Sequence, residues 1–247
     1  MFIDIHCHLD LFKEEEIDSL VNSAKKAGVE IIVNNSTNNL IDNQVINYSN
    51  KYKQVKACLG SYPIDCLKLS EIEIKNQMDF IKKNKEKIIG IGEVGLDFVE
   101  IHEKDKQIEN FRKFIKLAKE LDKPIIVHSR KAEEKAIEIL EEEKVKKVLM
   151  HCFSGNLKLV KRIIENKWYL SIPTNITFSE HFQKVVEISP IEQLFCETDS
   201  PFLHPIKGKR PNEPANVVES YKKIAEIKNL KLKQVEEQIS KNYKNLF

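Results

Sequence analysis

The 247-residue sequence lacks any apolar run of about 18 residues, so no membrane-spanning helix is expected. Its start, Met1 to His6, has no basic segment followed by an apolar one, so no signal peptide is expected either. We therefore expect a protein that begins at Met1, does not associate with membranes and is cytoplasmic.

The sequence also lacks paired cysteines and a large net charge. The five cysteines are odd in number and form no Cys-x-x-Cys pair, and most lie in or beside apolar runs. This usage indicates reduced, mostly buried thiols. The 40 basic and 38 acidic residues leave a net charge of only +2, which argues against a general nucleic-acid binder. An enzyme that acts on nucleic acid through a local basic rim is still compatible with this charge.

Glycine and proline are few, at 7 and 8 residues, and no repeat or low-complexity segment marks a linker. Apolar residues make up 41% of the chain, enough for a sizeable core. Single α/β barrels are typically of about this length. We expect one domain over residues 1–247.

Short apolar segments alternate with longer amphipathic ones along the whole chain. Several of the apolar segments are almost continuous, as in Ile31-Ile32-Val33, which is typical of parallel strands buried on both faces. Candidate strands lie at residues 2–7, 30–34, 55–60, 88–93, 124–128, 147–151, 168–172 and 193–198.

Helical spacing of apolar residues predicts helices between and after these strands. The clearest lie at residues 14–27, 104–121, 157–164, 214–227 and 232–246. Eight strand–helix units indicate a TIM-type (β/α)8 barrel. The alternative is an open doubly wound sheet, although no Gly-x-Gly-x-x-Gly opens the first strand–helix turn, as a dinucleotide-binding version would require.

His6 and His8 close the first predicted strand. Side chains alternate along a strand, so these two histidines face the same way, into the barrel, while Cys7 faces the covering helices. Two imidazoles projecting together make a chelating pair. A His-x-His pair alone is weak evidence, because it can equally be two structural histidines with satisfied hydrogen bonds.

Four further predicted strands also finish on, or next to, a metal-ligand side chain. These residues are Glu93, His128, His151 and Asp199. The carboxyl ends of barrel strands meet at one rim, where active sites lie. Six ligands exceed what one catalytic ion with an open position needs. Two divalent cations about 3.5–4 Å apart, bridged by Glu93, would use them all. Imidazole and carboxylate ligands suit Zn²⁺ and Mn²⁺, and Mg²⁺ where carboxylates and water dominate.

These segments resemble the TatD family of metal-dependent deoxyribonucleases, within the amidohydrolase superfamily. The most specific are His-Cys-Phe-Ser-Gly at 151–155 and Glu-Thr-Asp-Ser-Pro at 197–201. Residues 2–10, 92–98 and 124–130 add to them in the family's order. The resemblance covers essentially the whole chain.

The resemblance implies a role for each candidate. One metal would be held by His6, His8 and Asp199, the other by His128 and His151, with Glu93 as the bridge. A metal-bound water would be the nucleophile and Asp199 its general base. The family's reaction is phosphodiester hydrolysis in DNA, often from a 3′ end, which makes DNA the expected substrate.

Two positions depart from the family pattern. Tyr62 occupies the place of a histidine thought to serve the substrate phosphate; a tyrosine can donate a hydrogen bond but supplies no cation. Near the C-terminus, Pro211 is inserted between Arg210 and Asn212 of the family's Arg-Asn-Glu-Pro segment. Arg210 belongs to a basic loop with Lys207 and Lys209 that is a candidate for contact with substrate phosphate, with a solvated surface loop as the alternative. Arg130 is a further candidate for holding phosphate, with a salt bridge to a neighbouring loop as the alternative.

Other polar residues have weaker assignments. Asp4 shares the strand face of His6, and Glu197 that of Asp199, so either can support a ligand. His102, His181 and His204 are expected at the surface. Two further hypotheses stay open beside a nuclease: a metal-dependent hydrolase of a small amide, ester or phosphoester, and a non-catalytic metal-binding barrel.

Overall fold

Eight parallel strands follow one another in chain order around a barrel in the computed structural model, which describes residues 1–99 and 103–247. The predicted TIM-type fold is confirmed. The strands are β1 (Phe2–Cys7), β2 (Val29–Asn35), β3 (Val55–Leu59), β4 (Ile88–Asp97), β5 (Ile125–Arg130), β6 (Val148–Met150), β7 (Tyr169–Pro173) and β8 (Leu194–Glu197).

The barrel closes where the carboxyl end of β8 meets β1. The Asp199 amide donates to the His6 carbonyl at 2.9 Å, and the His8 amide donates to the Ser200 carbonyl at 2.9 Å. The buried Asp4 carboxylate accepts from the Thr198 amide at 2.8 Å and from its hydroxyl at 2.6 Å. These bonds join the first strand to the segment after the last one.

Helices cover the outside of the barrel. Those in the described part of the chain are α1 (Glu14–Lys26), α2 (Asp42–Lys51), α3 (Pro63–Leu67), α4 (Glu71–Lys83), α5 (Lys104–Glu120), α6 (Glu133–Glu142), α7 (Leu157–Glu165), α8 (Glu180–Ile188), α9 (Val217–Lys228) and α10 (Leu232–Leu246). All five predicted helices are present. The fourth begins three residues late because Pro214–Asn216 form a separate 3-10 turn.

The core lies between the barrel and its helices. Ile3, Ile5 and Cys7 are fully buried on the outer face of β1, as strand alternation predicts. Tyr221 of α9 reaches this face, where its hydroxyl oxygen accepts from the Ile3 amide at 2.9 Å. The five cysteines are free thiols, four of them buried. Within the described ranges, no helix is long and apolar enough to cross a membrane.

Two strands run two or more residues further than predicted. β4 runs on to Asp97, so Glu93 lies inside that strand rather than at its end. β5 likewise continues past His128 to Arg130, whereas β1 ends at Cys7 as predicted, so His8 lies one residue beyond it. Glycine makes the β4 extension possible. Gly95 has a φ of +143°, and a Cβ there would lie 2.0 Å from the His128 carbonyl oxygen.

The three remaining histidines have different surroundings. His102 lies outside the described residues. His181 is half-buried, with Nε2 3.1 Å from the Phe153 carbonyl. His204 is only 7% exposed, and its Nδ1 accepts from the Ile206 amide at 2.9 Å, so its prediction as a surface histidine was wrong. The polar contact within its own turn lets this histidine be buried.

Candidate metal centre

Four side chains converge at the carboxyl end of the barrel where β1 and β8 meet. The Nε2 atoms of His6 and His8 lie 3.1 Å apart. Glu93 Oε2 is 3.5 Å from His6 Nε2 and 3.4 Å from His8 Nε2. Asp199 Oδ1 is 3.6 and 3.5 Å from the same two atoms.

These distances fit a shared cation. Ligand atoms that surround one ion at about 2.0–2.2 Å lie about 3.0–3.6 Å from one another. The five distances in this group span 3.1 to 3.6 Å. His6, His8 and Asp199 form one of two groups of potential ligands, in the described chain, whose donor atoms all lie within 4.8 Å of each other.

The second group is formed by His6, Glu93 and His151. Glu93 turns its other oxygen, Oε1, toward His151 Nε2 at 3.5 Å and His128 Nδ1 at 2.8 Å. The two oxygens of Glu93 therefore face different histidines, as a bridging carboxylate requires. His128 reaches the cluster through Glu93 but belongs to neither of the two groups.

Neighbouring groups orient two of the histidines. His8 Nδ1 lies 3.0 Å from the Asn35 carbonyl, to which only a protonated Nδ1 can donate. His151 Nδ1 lies 3.1 Å from Glu197 Oε2, and that oxygen also accepts from the Ser171 hydroxyl at 2.5 Å. With Nδ1 as the donor, Nε2 of each ring presents its lone pair to the centre. Glu197 thus contacts the candidate ligand His151, whereas Asp4 pairs with Thr198.

The electrostatics indicate a pocket that attracts positive charge. Burial alone would raise the pKa of Glu93, but the charge of His151 and hydrogen bonds from the other histidines hold this pKa well below its usual range. Burial lowers the pKa of His151, yet the charges of Glu197 and Glu93 outweigh it and raise the pKa to about 9. A divalent cation can replace the protons that such histidines attract.

Backbone geometry aims Asp199 into the cluster. Asp199 has a φ of 51°, a left-handed conformation that aspartate tolerates better than most residues. Its side chain is 16% exposed, compared with 0% for His6 and 4% for Glu93. Among these carboxylates, Asp199 is therefore the one that solvent reaches more easily.

The substrate candidates Tyr62 and Arg130 meet at a residue that sequence reasoning missed, Asp97. Asp97 Oδ2 accepts from the Tyr62 hydroxyl at 2.5 Å and from Arg130 Nε and Nη2 at 2.9 Å each. His128 Nε2 lies 3.3 Å from the same oxygen. Burial alone would raise the pKa of Asp97, but these donors hold it far below its usual range. Asp97 would have been found if β4 had been predicted at its full length, because it is the polar residue at which that strand ends.

Arg210 lies on an exposed stretch of the segment between β8 and α9, together with Lys207 and Lys209. The same segment is anchored by Asn212, which is fully buried. The Asn212 amide nitrogen donates to Thr174 Oγ1 and to the Thr198 carbonyl, both at 2.9 Å. This anchor holds the backbone next to Asp199, whereas Arg210 makes no ion pair with a described residue.

A cavity of about 420 Å³ lies away from these ligands, between α1 and the β8–α9 segment. Its walls include Phe12, Leu20, His204 and Lys209. None of the six predicted metal ligands lines it. The cavity is therefore separate from the side-chain cluster at the barrel rim.

A closed βα barrel with buried histidines and carboxylates at the carboxyl ends of its strands is the architecture of metal-dependent hydrolases. Comparison with known proteins identifies the family. A family model described as TatD related DNase matches residues 3–247, and the chain belongs to that family.

Individual relatives agree with this class. An uncharacterized metal-dependent hydrolase of Methanocaldococcus jannaschii is 37% identical, over 98% of this chain and 94% of its own. Human deoxyribonuclease TATDN3 is 32% identical, over 99% of this chain and 94% of its own. The crystal structure of YJJV, a TatD homolog from Escherichia coli K12, superimposes with a TM-score of 0.94 at 25% identity, covering 100% of this chain and 97% of that one. The predicted class, a metal-dependent hydrolase of the TatD family, is confirmed.

Proposed function

We propose that this protein is a deoxyribonuclease that hydrolyses phosphodiester bonds in DNA with two divalent cations. The observation that carries the proposal is the packing of His6, His8, Glu93 and Asp199, whose measured donor-atom separations are 3.1–3.6 Å. The deoxyribonuclease named among its relatives supports DNA as the substrate.

We assign the ligands in two sets that share Glu93. His6, His8 and Asp199 would hold one ion, and His128 and His151 the other. The opposite orientation of the two Glu93 oxygens supports the shared role. The donor set suits Zn²⁺ or Mn²⁺, and Mg²⁺ where water completes the coordination.

When bound, the ions lower the pKa of water and withdraw charge from the phosphoryl oxygens. Asp199 is our choice for the general base, because it lies at the cluster and is reached by solvent. Its carboxylate takes one proton from the attacking water as a P–O bond forms. The ester P–O bond breaks, and the leaving sugar oxygen takes up a proton, so that hydrolysis consumes one water.

Arg130 is the side chain best placed to meet a substrate phosphate, because 56% of its side chain is exposed beside His128. Tyr62 donates its single hydroxyl proton to Asp97, and its contact with a substrate phosphate stays a prediction. Arg210 remains a candidate for phosphate contact on the exposed β8–α9 segment.

A second function, hydrolysis of a small phosphoester, is favoured by one observation. Arg130 forms an ion pair with the buried Asp97, which weakens the attraction of its positive charge for a polyanion. The salt dependence of substrate binding separates the two, because contacts with several phosphates release counterions and give a steep slope.

The decisive test is nuclease activity after removal of metal and addition of Mg²⁺, Mn²⁺ or Zn²⁺. Single- and double-stranded DNA with a 5′ label would be incubated with the wild type, Asp199→Asn and Glu93→Ala. Asp122→Asn is a matched control, because Asp122 also has a φ of 51° but is exposed and pairs with Lys147.

We expect metal-dependent cleavage by the wild type and the control, and none by the two site variants. A ladder that shortens from the 3′ end would establish exonuclease polarity. If protein that binds two ions leaves DNA intact, DNA is not its substrate.

A further inference from the structure

Large apolar side chains that face solvent gather at one end of the barrel. Seven are exposed in the described part of the chain, and five of these lie in connections that follow the carboxyl ends of strands: Leu11, Leu40, Phe178, Phe202 and Ile206. Single exposed apolar residues are ordinary, whereas a group of them in one place marks a binding surface. This group lies at the same end of the barrel as the proposed metal ligands.

The two exposed phenylalanines lie on turns that are bonded to each other. Phe178 is 43% exposed and follows β7, and Phe202 is 41% exposed and follows β8. Thr174 belongs to the 3-10 turn that ends next to Phe178, and its hydroxyl donates at 2.6 Å to the carbonyl of Leu203, the neighbour of Phe202. The two rings therefore belong to one continuous part of the rim.

Phe202 is held close to the candidate general base. Its amide donates to the Asp199 carbonyl at 2.8 Å, which closes a tight turn. In such a turn the Cα atoms of the first and fourth residues are less than about 7 Å apart. A phosphate bound at the proposed metal centre would thus bring the base of an adjoining nucleotide within reach of the Phe202 ring.

The residues around this ring indicate what covers it. Lys207, Lys209 and Arg210 follow on the same segment, and all three are exposed. Proteins that bind a single nucleic-acid strand combine basic groups, which meet the phosphates, with aromatic rings, on which the bases stack. Surfaces that bind another protein are instead depleted of lysine. This composition favours a nucleobase over a protein partner as the occupant.

We propose that Phe202 binds a nucleobase of the substrate strand by stacking, next to the phosphate that is hydrolysed, and that Phe178 meets a further base. The inference rests on the proposed function, because it takes DNA as the substrate. The base has to be unpaired, since a base inside a duplex has both faces covered by its neighbours. Phe202 thereby helps to position the phosphodiester relative to Asp199.

A substrate that lacks one base tests whether the ring and the base meet. Stacking of a base on an aromatic side chain is worth roughly 10- to 100-fold, so Phe202→Ala should lower kcat/KM for an intact single-stranded oligonucleotide by about that factor. The wild type should lose a similar factor on an oligonucleotide with an abasic site next to the scissile phosphate. On that oligonucleotide Phe202→Ala should lose less than about twofold more.

The abasic site is placed at each terminal nucleotide in turn, and Phe178→Ala should give the same pattern at a different nucleotide. Phe202→Trp should keep the activity because it retains a ring, whereas Phe202→Leu should lose most of it. Ile188→Ala is the matched control, because Ile188 is also exposed, at 37%, but ends α8 on the far side of the barrel from the ligands. Equal losses for Phe202→Ala on intact and abasic oligonucleotides, at every position, would overturn the proposal.

Binding separates this inference from the proposed function. Phosphorothioate oligonucleotides resist hydrolysis, so fluorescence anisotropy can measure their affinity for the metal-loaded protein. The wild type should bind the intact strand about tenfold or more tightly than the abasic strand, and Phe202→Ala should bind both equally. If no oligonucleotide is cleaved, the proposed function fails, while this comparison still decides the role of Phe202. The inference is refuted if the wild type does not discriminate, or if Phe202→Ala only dissociates a dimer.

Discussion

Replacement of Asp42 by asparagine should stabilise the protein above pH 6. Asp42 is 1% exposed, and burial raises its pKa to about 6, although hydrogen bonds from Ser36 and Gln77 oppose the shift. The Ser36 hydroxyl donates to Asp42 Oδ1 at 2.6 Å, and Gln77 Nε2 donates to Oδ2 at 3.1 Å. These bonds do not fully compensate the lost hydration of a carboxylate.

The sign follows from proton uptake. The folded pKa is above the unfolded value of 3.8, so between about pH 4 and 6 the folded state binds more protons than the unfolded state. The free energy of unfolding therefore falls as pH rises through this window. A difference of about two pKa units corresponds to about 3 kcal/mol, lost by pH 7.

Asparagine keeps the shape and removes the charge. The Ser36 hydroxyl lies 3.1 Å from the Gly60 carbonyl, so it has a second acceptor when residue 42 presents an amide. We expect Asp42→Asn to match the wild type near pH 4 and to be more stable by about 1–3 kcal/mol at pH 7.5.

Urea unfolding at pH 4, 5, 6 and 7.5 measures the free energy of unfolding of the variant and of the wild type. Their difference at each pH cancels the titration of distant groups. The control is Asp122→Asn, because the Asp122 side chain is exposed. Glu73→Gln would be unsuitable, because the Glu73 side chain caps α4. A constant difference across the pH range would refute the reasoning.

Three further results are expected. Glu197→Gln should weaken metal binding about 10–100-fold, because Glu197 orients His151; calorimetric titration with Mn²⁺ checks this, and unchanged affinity would contradict it. A metal ion at about 100 times its Kd should add about 2.7 kcal/mol to the free energy of unfolding and raise the Tm by about 5–10 °C in a thermal unfolding scan. The Asp199→Asn variant should lose most of that gain. Asn212→Ala should cost about 2–4 kcal/mol in urea unfolding, because it removes four side-chain hydrogen bonds and leaves two buried acceptors, Thr174 Oγ1 and the Thr198 carbonyl, without this donor. Half-buried Asn216→Ala is its control and should cost less than about 1.5 kcal/mol.

The barrel was predictable because every strand carries its own local pattern. Near-continuous apolar runs such as Ile125-Ile126-Val127 mark strands buried on both faces, and all eight are found. Strand alternation also predicted that His6 and His8 face together, and their Nε2 atoms are 3.1 Å apart although His8 lies just beyond β1.

The extent of β4 was not predictable in the same way. A buried carboxylate in the middle of a strand is unfavourable in isolation, so the local sequence does not indicate a strand that continues past Glu93. Four histidines from distant parts of the chain face the Glu93 carboxylate and, with the proposed cations, supply the compensation. Gly95 likewise reads as a strand breaker until its close approach to the His128 backbone is known.

The partner of Arg130 also depended on tertiary structure. Sequence spacing left open whether this arginine meets a phosphate or a neighbouring carboxylate, and the register of β4 and β5 sets Asp97 opposite it. His204 was misassigned for a related reason, since its burial depends on how the β8–α9 segment packs.

The closure of the barrel has a consequence for synthesis on the ribosome. His6 and His8 leave the ribosome early relative to Asp199, whose amide bonds to the His6 carbonyl and is translated nearly two hundred residues later. A nascent chain therefore holds two imidazoles without the carboxylate that completes their group. Under the proposed ligand assignment, this group can bind an ion as a set only after β8 has left the exit tunnel and docked beside β1.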